Sequence, residues 1–167
     1  MHKDLITAEE ARQLFSYNPN TGDLTWRVNR GARARAGNAA GWKNGEGYLR
    51  TSVNRKRYLT HRLAWLVHYG SWPQDFIDHI NGDRSDNRLV NLREASRAEN
   101  GRNRGANRNN TSGYKGVSWH KSSRRWVANV YGEAGNRHLG CFNTPEEAHA
   151  AYCAAAAELY GEFANFG

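Results

Sequence analysis

Apolar positions fall into short blocks whose spacing changes along the chain. Ala8, Ala11, Leu14 and Phe15 recur at helical spacing behind Thr7-Ala8-Glu9-Glu10. That tetrad reads as a capping box, with Thr7 as N-cap and Glu10 reaching back, so a helix is expected over about 7–16. "YNPNTGDLTWRV" then supplies Pro, Asn and Gly turn signals before a strand at 24–28. Residues 29–47, "NRGARARAGNAAGWKNGEG", have no apolar period and read as a mobile basic loop. "GYLRTSVNRKRYLTHR" predicts strands at 48–53 and 56–60 with a turn at Asn54-Arg55. Leu63, Ala64, Leu66 and Val67 predict a helix over 61–69, stopped by Gly70 and Pro73.

Further on, "FIDHI" is a strand, "NGD" a turn and "LVNLR" a second extended piece, and Ser96-Arg97-Ala98-Glu99 is another capping box that opens a helix. Residues 105–113 are Gly, Asn and Arg almost throughout and read as a linker. "YKGVSWH", "RRWVANVYG" and "NRHLGCFN" alternate as three strands. A helix follows, with Thr144 as cap, Pro145 at its first position and Glu146-Glu147 at the positive end of its dipole. The expected class is α+β. One domain spans 1–104 and a second, a three-stranded antiparallel sheet packed on one helix, spans 114–167.

Composition narrows the partner. The 167 residues carry a net charge of +8, which favours a polyanion, although a basic balance alone also fits a membrane surface. The charge is uneven: +6 over 1–60, −1 over 61–100, +3 over 101–113 and 0 over 114–167. Two basic segments therefore flank a slightly acidic one. Within the second domain the strands are basic and the helix is acidic, which points the sheet toward nucleic acid. No run approaches the ~20 apolar residues of a membrane span. The start of the chain has no signal-peptide pattern. Cys141 and Cys153, with no CxxC spacing, fit a cytosolic protein without a disulfide framework or a structural zinc.

Residues 76–100 hold the candidate chemistry. Cutting a phosphodiester takes an activated water, charge neutralisation on the phosphate and help for the leaving oxygen, and a hard cation supplies the last two. Magnesium needs only one or two protein ligands and prefers oxygen. Asp78 with an Asn carboxamide is a sufficient set, and a His near Asp78, with an ordinary pKa of about 6.5, is a natural base.

The stretch "IDHINGDRSDNRLVNLREASRAEN" resembles the HNH endonuclease motif of the ββα-metal fold. It is closest to phage and intron-associated homing endonucleases whose final His is Asn. The resemblance covers about 55–104 well, with a motif core at 76–104, and "YNPNTGDLTW" and "GYLRTSV" are similar to the N-terminal part of such phage proteins. It implies His79 as general base and Asp78 as first metal ligand. Asn91 becomes the central Asn that orients base or phosphate and braces the loop, and Asn100 the second metal ligand. With Asn in place of the last His, the implied cation is Mg2+, or Mn2+, rather than zinc. Asn87 and Asp83 read as loop-bracing Asx residues, and His61 as a packing group.

Residues 113–167 resemble the Apetala-two/ethylene-response-factor DNA-binding domain. The likeness is carried by Tyr114, Gly116-Val117, Trp126, Ala128, Leu139-Gly140, Phe142, Thr144, Glu146-Glu147-Ala148 and Asn165-Phe166. It implies a sheet laid in the major groove. Ser118, His120, Tyr131 and His138 depart from the residues usual there, so the base preference of that family does not carry over. Candidate DNA contacts are Arg30, Arg33, Arg35, Arg50, Arg55, Lys56, Arg57, Arg62 and Arg93 in the first domain, and Lys115, Arg125, Tyr131, Arg137 and His138 in the second.

The expectation is a metal-dependent DNA endonuclease of homing type that leaves 5′-phosphate and 3′-hydroxyl ends. It acts on double-stranded DNA, as a monomer rather than a dimer, in the cytosol of a bacterium or of a phage's host. The alternatives are a DNA-binding regulator with a relic nuclease site and a nonspecific defence nuclease.

Overall fold

The structure is a computed structural model and describes residues 5–107, 109–132 and 135–167. Arg108, within the expected linker, lies outside the described residues. The fold is mixed α and β with several small antiparallel sheets. It divides into two compact units, Met1–Arg97 and Ala98–Gly167.

In the first unit, α1 (Ala8–Leu14) starts at the expected capping box. The Glu10 amide donates to Thr7 Oγ1, and the Glu10 carboxylate accepts from the Thr7 amide. The helix ends two residues earlier than its spacing predicts. Phe15 is extended and opens β1 (Phe15–Tyr17), which pairs antiparallel with β2 (Leu24–Trp26). Burial decides this: as a strand residue Phe15 is 1% exposed, and its ring lies 4.6 Å from that of its cross-strand partner Trp26.

The basic stretch 29–47 is not the featureless loop its composition suggests. Gly31 and Ala34 form a β-bridge, Asn29 Oδ1 accepts from the Ala36 amide, and β3 (Trp42–Lys43) adds an edge to β4 (Leu49–Val53). β5 (Lys56–Leu59) pairs on the other side of β4. The expected turn at Asn54-Arg55 is present, and both residues have positive φ, 50° and 66°. Such a pair matches the twist of a two-residue hairpin. α2 (Thr60–Tyr69) follows directly and stops at Gly70, whose φ of 78° is the left-handed cap that glycine takes most easily. Phe15, Leu24, Trp26, Val53, Tyr58, Leu63 and Leu66 form the core between these elements.

β6 (Phe76–His79) and β7 (Leu92–Ala95) make a separate antiparallel pair. The expected second extended piece at 89–93 is split. Leu89–Asn91 is a 3-10 turn, and the strand begins at Leu92. The Asn91 amide donates to the Arg88 carbonyl and its side chain bonds nearby backbone, so local bonds displace the ladder there.

α3 (Arg97–Arg102) starts at the last residue of the first unit and lies otherwise in the second. The strap after it is tied to the end of the chain, since Asn165 Nδ2 donates to the Asn103 carbonyl. β8 (Val117–His120), β9 (Arg125–Gly132) and β10 (Gly135–Phe142) form one antiparallel sheet in the order β10-β9-β8. α4 (Pro145–Tyr160) packs on one face. It carries the Thr144 cap, a reciprocal bond from Glu147, and Pro145 in its first turn. Val117, Ala128, Val130, Ala148, Tyr152 and Ala156 fill that interface. Gly116, at φ +76°, lies so close to the Tyr152 ring that a Cβ would run into it. No helix among the described residues is long and apolar enough to cross a membrane.

Candidate active site and nucleic-acid interface

β6 brings Asp78 and His79 side by side, 5% and 4% exposed. In the β6–β7 register Asp78 faces Arg93 and His79 faces Leu92. The guanidinium of Arg93 donates to Asp78 Oδ2 from Nε at 3.0 Å and from Nη2 at 2.8 Å. Arg93 was an expected phosphate contact; here it is the partner of a buried carboxylate.

His79 is held by a residue expected only to brace its own loop. Nε2 lies 3.1 Å from Asn87 Oδ1. With Oδ1 as the acceptor the contact is a hydrogen bond in the tautomer that carries its proton on Nε2, and in that tautomer Nδ1 is the basic nitrogen. Two further rings pack on His79. His61 meets it edge to face at 4.9 Å and 88°, and Tyr48 lies at 5.9 Å. Burial pushes the His79 pKa below its ordinary 6.5, opposed by the bond to Asn87 and by Asp78. Burial also drives His61 down to about 3, with help from His79 and Arg62. Both rings are therefore neutral at neutral pH.

Asn91 is committed to the loop. Its Nδ2 donates to the Asp86 carbonyl at 2.8 Å and its Oδ1 accepts from the Asn81 amide at 2.9 Å. Asp86 is locked in turn by Arg88, whose bonds hold its carboxyl well below the usual range. Arg84, which the sequence did not single out, donates to the Glu46 carbonyl at 2.9 Å and covers the Tyr48 ring. Asn100 lies half-buried on α3 of the second unit.

The donor chemistry bears on the cation. A buried carboxylate and a carboxamide are hard oxygen donors that suit magnesium or manganese. Among the described residues no three His, Cys, Asp or Glu side chains come together as a metal cluster.

The candidate DNA contacts divide into used and displayed. Arg62 donates to the carbonyls of Asp75 and Pro73, Arg30 to Asn54 and Arg50 to Glu46. Lys115 gives its ammonium to the carbonyls of Arg102 and Asn165, and its burial lowers its pKa. Arg33, Arg35, Arg55 and Arg57 are exposed on the loop and hairpin of the first unit, and Lys56 is exposed there with a partner of its own.

In the second unit the register sorts the sheet's faces. Val117, Ala128 and Val130 point at α4, so their neighbours Ser118, Arg125, Asn129 and Tyr131 point away from it. His120 pairs with Arg125 and His138 with Asn129 on the same open face. Arg137 is different. It pairs with Val130 on the helix side and reaches Glu158 of α4 at 3.8 Å.

A buried Asp-His pair on a hairpin in one unit, and a three-stranded sheet on one helix in the other, define a class. The family model of HNH endonucleases matches residues 58–102, and that of the AP2 domain matches residues 112–162. The chain carries an HNH endonuclease domain followed by an AP2 domain. It belongs to the family of Protein 3.8 of Escherichia phage T7, to which it is 36% identical over 107 residues, 64% of this chain and 88% of that protein. No solved structure matches it.

Proposed function

We propose that the chain is a divalent-cation-dependent DNA endonuclease of the homing type, with a ββα-metal catalytic centre. It hydrolyses phosphodiester bonds to 5′-phosphate and 3′-hydroxyl ends. The observation that carries this reading is the burial of Asp78 and His79 as consecutive residues of one strand, with the His79 pKa lowered by that burial and its ring in contact with Asn87.

In this reading residues 1–104 are the catalytic domain, 105–113 the linker and 114–167 the DNA-binding domain. His79 Nδ1 takes a proton from water as the water attacks phosphorus in line, which asks for a base that is neutral at working pH. Asp78 and Asn100 are the residues that would hold Mg2+ or Mn2+, and the cation would supply charge neutralisation for the cleavage. Asn91 braces the loop that follows His79. The exposed cations Arg33, Arg35, Arg55, Lys56 and Arg57 position the duplex through phosphates. The open face of the second unit, with Arg125, Tyr131 and His138, supplies the contacts that select a site. The protein works on double-stranded DNA as a monomer in the cytosol of a bacterium or of a phage's host.

One observation favours the alternative, a DNA-binding regulator with a relic site. Arg93 already occupies Asp78 Oδ2, an oxygen that a cation would use. The end chemistry tests the main reading. Circles nicked by the protein with Mg2+ should be resealed by DNA ligase without prior kinase treatment. Nicks that need a kinase before ligation contradict the mechanism, and no nicking with DNA binding retained favours the regulator.

A further inference from the structure

Two buried asparagines lie in the loop between β6 and β7, and they behave differently. Asn91 satisfies both ends of its amide on backbone groups, as a structural Asn does. Asn87 is 2% exposed and its Oδ1 is given to His79 Nε2, while its Nδ2 is buried with no hydrogen-bond partner. A half-satisfied buried amide is costly, so a loop brace alone does not account for it.

The backbone of Asn87 is gripped from far away in sequence. Tyr17 OH donates to the Asn87 carbonyl at 2.8 Å. The Leu89 amide donates to the Pro19 carbonyl at 2.9 Å. Gly22, at φ +80°, packs so closely that a Cβ would lie 2.5 Å from the Arg88 amide nitrogen and 2.6 Å from the Asn87 carbonyl carbon. All three contacts come from the β1–β2 hairpin, which lies outside the residues matched by the HNH family model. A side chain at 22 would force that backbone aside.

We propose that Asn87 is a positioning residue that fixes the Nε2–H tautomer of His79, and that the β1–β2 hairpin, through Tyr17 and Gly22, sets Asn87 in place. This rests on the nuclease reading only for its consequence in catalysis; the tautomer itself is a property of the free protein. The hairpin is thereby part of the catalytic unit, although it contributes no group to the chemistry. Outer-shell partners that fix a metal-ligating imidazole matter ~10–100-fold, and an effect of that size is expected for a partner that fixes a catalytic one.

The test uses the full-length chain labelled with 15N-histidine. Imidazole nitrogen shifts read the tautomer in metal-free protein, and plasmid nicking with Mg2+ reads kcat and KM. The expected result is an Nε2–H ring for His79 in the wild type and in Asn87→Asp, whose carboxylate still accepts that proton. Asn87→Ala and Gly22→Ala should give a mixture of tautomers. They should lower kcat about 10–100-fold with KM for DNA unchanged, and Asn87→Asp should recover most of the rate. An Nδ1–H ring in the wild type overturns the proposal without any variant. So does an unchanged tautomer with a wild-type rate in Asn87→Ala while His79→Ala is inactive. If the wild type never nicks DNA but the tautomers shift as expected, the positioning role stands and the nuclease reading falls.

Discussion

Asp78 and Arg93 face each other across the β6–β7 ladder, with Arg93 Nη2 2.8 Å from Asp78 Oδ2 and both side chains nearly buried, at 6% and 13% exposure. Register and charge therefore make one feature, and the carboxylate reaches the site already paired. Breaking such a pair leaves a buried charge uncompensated, at a cost of about 3–5 kcal/mol. Arg93→Ala should lower the urea unfolding free energy of the chain by about that amount. A loss below ~0.5 kcal/mol, the size expected of an exposed surface pair, would show that the pair is solvated rather than buried.

His61 sets a pH dependence of stability. It is 3% exposed and its folded pKa is near 3, against 6.5 when unfolded. Between these values the unfolded chain binds the extra proton, so stability rises with pH. The contribution is complete above about 6.5 and is lost as pH falls toward 3. The slope is about 1.4 kcal/mol per pH unit for one such group. His79 acts in the same direction. Denaturant unfolding between pH 6.5 and 4.5 should therefore be less steeply pH-dependent in His61→Phe than in the wild type. Equal slopes would mean that His61 takes up its proton in the folded state as readily as in the unfolded one.

The two faces of the C-terminal sheet should separate in DNA binding. Arg125 is on the open face and Arg137 is paired with Glu158 on the helix side. Arg125→Ala should weaken binding and reduce the salt slope of log K by about 1. Arg137→Ala should change neither. The reverse result in a salt titration by fluorescence anisotropy would place the DNA on the helix side.

Local signals in the sequence were good guides to local structure. The capping box at Thr7, the cap at Thr144, the Asn54-Arg55 turn and the stop at Gly70 all form as the spacing predicts, because each depends on neighbours within four residues. The failures depend on partners that the apolar spacing does not show, some distant and some within the same loop. Phe15 leaves its helix for a strand because Trp26 offers a partner eleven residues on. Leu89–Asn91 leaves its strand because Asn91 bonds the turn instead. The Asp78-His79 pair was legible as a motif. The partners of that pair were not, since Arg93 is set by strand register and Asn87 by a hairpin some 65–70 residues away. The sidedness of Arg137 was also hidden, because it depends on a bulge between His138 and Gly140.

The most direct measurement is supercoiled-plasmid cleavage by the wild type and His79→Ala with Mg2+, with DNA affinity determined for both proteins under the same conditions. Nicked or linear product is expected from the wild type only, with a rate loss of at least ~10²-fold in the variant and equal binding. Cleavage by His79→Ala at the wild-type rate would contradict the assignment of His79 as the base.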